Sequence, residues 1–148
     1  MSSNVDVLLD EQKFPCIGMT KDERNYCLNI IRNCRDLCDT ENKVDGINKC
    51  EIVEMHFRKD NNVIRFSGSL SIGNEFRTIE GYLYIEKDRI LVDYKINRLC
   101  IETDKKEYTV LDEFKIENGV LKRRSQYNYN MESLYAEVDD EILKGRLR

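Results

Sequence analysis

Apolar residues recur at two different spacings along the chain, and the change from one to the other divides it. In "TKDERNYCLNIIRNCRDLCDT", Tyr26, Cys27, Ile30, Ile31, Cys34, Leu37 and Cys38 fall at helical spacing, so residues 20–39 are expected to form one amphipathic helix. Thr20 and Glu23 stand at capping-box spacing at its start. From residue 50 to residue 130 apolar and polar positions alternate, and "KDNN", "GNE", "KD", "TDKK" and "NG" interrupt the alternation at intervals. That pattern predicts six antiparallel strands in a meander. Met131, Leu134, Tyr135, Val138 and Ile142 then return to helical spacing, which predicts a second helix over 131–146. In the N-terminal segment, residues 1–19, "VDVLL" reads as a short strand and "FPCIG" as a turn; "DTENKVDGINK" reads as a polar connector. The expected fold is α+β: one domain, residues 1–148, in which N-terminal and C-terminal amphipathic helices flank a curved six-stranded meander.

Loop parity sets the strand register, because a slip of one residue turns every apolar side chain to the wrong face. A two-residue turn at Lys87-Asp88 pairs Ile85 with Ile90, Leu83 with Val92, Gly81 with Tyr94 and Ile79 with Ile96, with Glu80 against Lys95 on the other face. A turn centred on Asn74-Glu75 pairs Leu70 with Ile79, Gly68 with Gly81 and Phe66 with Leu83. Asn118-Gly119 is the strongest hairpin signal, since both central residues of a type I′ turn need positive φ. It sets Phe114 opposite Arg123, Asp112 opposite Ser125, Val110 opposite Tyr127 and Tyr108 opposite Tyr129. The basic triplet Lys122-Arg123-Arg124 is thereby split, Arg123 facing the aromatic side and its neighbours facing out. A bulge near Asn97-Arg98 is expected, because the apolar phase shifts to Leu99 and Ile101. Val53, Met55 and Phe57 are assigned to the core face and His56 to the outer one.

Composition narrows the functional classes. The chain is 35% charged with a net charge of −4, so a nucleic-acid interface, which needs a basic face, is not expected. No apolar run approaches the roughly 20 residues of a membrane span, and the start lacks the pattern of a signal peptide, so the expected location is the cytoplasm. The six cysteines are then expected to stay reduced. No CxxC is present and His56 is the only histidine, so no metal or cofactor is expected.

An inward cluster of Arg123, Asp112 and Ser125 among Tyr94, Phe114, Tyr127, Tyr108 and Tyr129 has two readings. In one, Arg123 bridges Asp112 as part of the core. In the other, the face is a cavity and Arg123 anchors a small acidic ligand. The order of elements resembles a helix-grip arrangement, which implies a pocket between a curved sheet and the last helix. A second candidate surface is acidic: Glu137, Asp139, Asp140 and Glu141 on the predicted C-terminal helix, suited to a basic protein partner. No GxSxG, P-loop, HExxH or dinucleotide fingerprint is present, so no catalytic residue is assigned. The favoured function is a small acidic intracellular binding module of adaptor or inhibitor type, with a helix-grip ligand carrier as the alternative and an enzyme third.

Overall fold

The computed structural model describes residues 12–38, 50–72, 75–98, 109–127, 130–131 and 136–147. Six long strands follow one another in space: β2 Cys50–Asp60, β3 Val63–Ile72, β4 Glu75–Ile85, β5 Arg89–Arg98, β6 Thr109–Glu117 and β7 Val120–Tyr127. Three short strands extend the sheet beyond the expected six. β1, Cys16–Ile17, pairs in parallel with β2, while β8, Asn130–Met131, and β9, Ala136–Glu137, both pair with β7. Among the described residues the sheet is therefore mixed and nine-stranded. With three short helices among the described residues, the fold is α+β overall.

Alternation along each long strand gives the sheet a sharply divided pair of faces. The inner face buries Met55, Phe57, Phe66, Leu70, Ile79, Leu83, Val92, Tyr94 and Phe114. The outer face carries mainly charged and hydroxylic residues of the same strands, with Phe76 and Tyr82 exposed among them. Asn118 and Gly119 take φ of 54° and 78°, and the hairpin they form holds Phe114 opposite Arg123, Asp112 opposite Ser125 and Val110 opposite Tyr127. The β4–β5 ladder likewise has the register that the Lys87-Asp88 turn implies, with Lys95 bridging Glu80 at 3.2 Å.

Three expectations about the sheet need correction. The β3–β4 ladder closes at Ile72 opposite Glu75, which sets Gly68 against Ile79 and Phe66 against Gly81. This two-residue slip keeps every side chain on its face, so hydrophobic patterning is blind to it. The β4–β5 ladder runs without interruption to Arg77 opposite Arg98, so it has no bulge at Asn97-Arg98. The register shift lies instead in β2, between Ile52 and Glu54, and leaves Val53 39% exposed rather than in the core. The expected strand at 5–9, the connector at 39–49, and Leu99, Ile101, Tyr108 and Tyr129 lie outside the described residues.

The helical segments differ more from expectation. α1, Lys21–Arg32, starts where Thr20 Oγ1 accepts the Glu23 amide at 3.1 Å and buries Tyr26, Cys27, Leu28, Ile30 and Ile31. It stops at Asn33, and a separate turn, α2 Arg35–Cys38, follows. Residues 20–39 are thus broken rather than one helix. At the other end, only α3, Glu141–Arg146, is helical among the described residues of 131–146. Ala136–Glu137 pairs instead with Arg123 and Lys122, and the Val138 amide bonds the Leu121 carbonyl at 2.8 Å. The edge of β7 offered these amides partners that a helix would have had to supply internally. The α3 core contact is Leu143, 0% exposed, whereas Ile142 is 64% exposed.

α3 is too short to persist by propensity alone. Burying Leu143 contributes about 1.5–3 kcal/mol, and the cap at Asp140 about 1 kcal/mol more. The Arg146 guanidinium lies 4.4 Å from the centre of the Tyr26 ring and so ties α3 to α1. On the other side of α1, Lys59 reaches Glu23 at 2.9 Å, and that bond holds the Glu23 carboxyl below the usual carboxylate range. Among the described residues no helix is long and apolar enough to cross a membrane.

Candidate functional site

The inward polar cluster is built where α1 ends. Asp112, on the inner face of β6 between Val110 and Phe114, is 0% exposed. Its carboxylate accepts the Arg35 amide at 2.9 Å, the Tyr94 hydroxyl at 3.0 Å and the Ser125 hydroxyl. The Tyr94 oxygen in turn accepts the Asp36 amide at 3.4 Å. Arg35 and Asp36 open α2, and the first amides of a helix have no partner within it. A carboxylate far away in sequence supplies the missing acceptor, and the negative charge suits the positive end of the turn. Burial, reinforced by nearby Cys34 and Asp112, holds the Tyr94 phenol well above its ordinary pKa, so Tyr94 stays a donor.

Arg123 shares this face and also bonds helix backbone. Its Nη1 donates to the Asn33 carbonyl at 2.8 Å, placing a cation at the C-terminal end of α1. Asn33 is a junction: its amide nitrogen also donates to the Asn29 carbonyl at 2.8 Å and to Asp140 Oδ2 at 2.9 Å. Tyr94 and Phe114 are 1% and 0% exposed. Tyr94 stands against Val110 and Phe114 against Ile90, so these two rings lie in different rows of the sheet. Tyr127 is placed opposite Val110 by its backbone. Of the expected cluster the structure brings together Asp112, Ser125 and Tyr94, joined to helix backbone.

The acidic residues separate into two kinds. Asp140 caps α3, accepting the Ile142 and Leu143 amides at 3.0 Å each, and also binds Asn29 at 3.3 Å and Asn33 at 2.9 Å. Glu137, Asp139 and Glu141 are exposed. Among the described residues no group of three His, Cys, Asp or Glu side chains is placed to hold a metal ion. Cys27 is buried and its thiol is pushed up to about 12, first by desolvation, an environment that suppresses the reactive thiolate.

A feature that pattern reading missed lies on the outer face. A groove of about 360 Å³ crosses β2 to β5. Ser67, Gly68 and Ser69 of β3 form its low floor, with Glu54 and His56 of β2 along one side and Thr78 and Glu80 of β4 along the other; Asn97 closes an end. The groove exists because, beyond Arg65, β3 presents only Ser67, Gly68 and Ser69 between taller neighbours. "SGS" within a strand is the signal that could have located it.

No protein-family model, no curated protein and no solved structure matches this chain.

Proposed function

We propose that this protein is a non-enzymatic binding module that engages a basic protein partner through its outward surface. The carrying observation is the state of the inner face: the Asp112 carboxylate is occupied by Arg35, Tyr94 and Ser125, and Arg123 by the Asn33 carbonyl. A ligand carrier would have to displace bonds that hold α1 and α2 to the sheet, which weighs against an acidic ligand anchored by Arg123. The outward surface, by contrast, has exposed carboxylates at Glu137, Asp139 and Glu141 whose charge suits a basic partner. Asp140 is left out of that surface, because its oxygens serve α3 and α1.

The test is co-purification of the wild type and a Glu137→Gln/Asp139→Asn/Glu141→Gln variant from the native cell at low salt, with identification of what is retained. The proposal expects basic proteins bound to the wild type and reduced at least fivefold on the variant. Equal recovery of the same proteins would remove this acidic surface from the account.

A further inference from the structure

The outer groove has the shape and charge to receive a single cationic side chain. Its two walls carry carboxylates, Glu54 from β2 and Glu80 from β4, and its described lining holds no lysine or arginine. Adjacent strands lie about 4.8 Å apart, and the ladders set Glu54 in line with Ser69 and Thr78 and Glu80 in line with Ser67 and His56, so the two carboxylates lie diagonally across the small residues of β3. Glu54 uses Oε1 to accept the Ser69 hydroxyl at 3.3 Å, and Lys95 takes Oε1 of Glu80 from outside the lining. Among the described residues neither glutamate accepts a hydrogen bond at Oε2, although the Glu80 carboxylate already shares the Lys95 charge. Thr78 and Asn97 add a hydroxyl and an amide oxygen on the same face.

Resting on the reading of a basic protein partner, we infer that this groove seats an arginine side chain carried on an extended segment of that partner. A guanidinium presents five N–H donors in one plane, which suits acceptors set on opposite walls; an ammonium is a compact point charge and would satisfy one wall at a time. The volume lies at the lower end of the range for small-ligand sites, room for one side chain. Because the groove is open to water, the contact is salt-sensitive and modest in strength, a place for specificity within a larger interface.

The experiment titrates ¹⁵N-labelled protein with three blocked tetrapeptides, tetra-arginine, tetra-lysine and tetra-glutamate, at low salt. The inference expects tetra-arginine to shift the amides of Ser67, Gly68, Ser69 and Thr78, to bind at least threefold tighter than tetra-lysine, and tetra-glutamate to leave them unmoved. Glu54→Gln/Glu80→Gln should weaken tetra-arginine at least tenfold. Ser67→Tyr, which fills the floor without changing charge, should do the same. Glu137→Gln/Glu141→Gln should leave the groove shifts in place. Shifts confined to residues 136–141, or a Glu54→Gln/Glu80→Gln variant that binds as the wild type does, would overturn the groove while leaving a basic partner standing. Equal affinity for lysine would overturn the guanidinium assignment. No response to either cationic peptide would overturn both readings.

Discussion

Asp112 shows how one residue can look like a site and serve as a joint. A carboxylate on an apolar face is costly unless its oxygens are satisfied, and here a helix start, a phenol and a hydroxyl satisfy them. The same burial governs protons elsewhere. Desolvation pushes the Tyr26 phenol and the Cys27 thiol up to about 12 and the Cys50 thiol up to about 11. These groups stay protonated in the native state at pH values where the unfolded chain has released them, so the native state binds more protons there. Stability contributed by them is intact below pH 9 and falls as pH rises through the window from about 9 to 12. Urea denaturation at stepped pH should show that decline, and Cys27→Ala should flatten its onset near pH 9. A midpoint unchanged between pH 8 and 11 would contradict the burial of these groups.

At the scale of elements, glycine separates close approach from open space. A Cβ on Gly81 would collide with the Asp93 carbonyl oxygen and the Tyr94 backbone, within the uninterrupted β4–β5 ladder. Gly145, inside α3, would meet nothing within 4 Å. Gly81→Ala should therefore destabilise by about 2–3 kcal/mol, as overpacking does, whereas Gly145→Ala should stabilise by about 0.5–1 kcal/mol through helix propensity. Chemical denaturation of the two variants checks both signs. The helices were less legible than the strands for a related reason. α1 ends because Asn33 is held by Arg123 and Asp140, partners that no local window contains. The apolar spacing of Val138 and Ile142 imitated a helix, yet the free edge of β7 drew residues 136–137 into the sheet.

Across the whole molecule, what could be read from sequence follows the distance over which each choice is made. Short turns with obligatory chemistry, Asn118-Gly119 and Lys87-Asp88, fixed two ladders and the inward direction of Arg123. The β3–β4 register, free to slip by two without exposing an apolar side chain, was not legible, nor was the pairing of Tyr94 with Val110 across a long connection. The inward cluster could be named from alternation, but its use could not, because the amides that occupy Asp112 belong to α2, whose break from α1 the helical pattern concealed. The groove was hidden because a row of serines reads as ordinary solvated surface until its neighbours' heights are known.

The claim on which the functional account turns is that the inner-face carboxylate belongs to the fold, leaving the exterior to meet partners. Amide hydrogen exchange at Arg35 tests it most directly, since that N–H bonds Asp112 at 2.9 Å. The account predicts strong protection in the wild type, lost by at least tenfold in Asp112→Ala, which removes the acceptor, while amides of the β4–β5 ladder keep theirs. An Arg35 amide exchanging at the rate of an unstructured chain in the wild type, or one indifferent to Asp112→Ala, would contradict it.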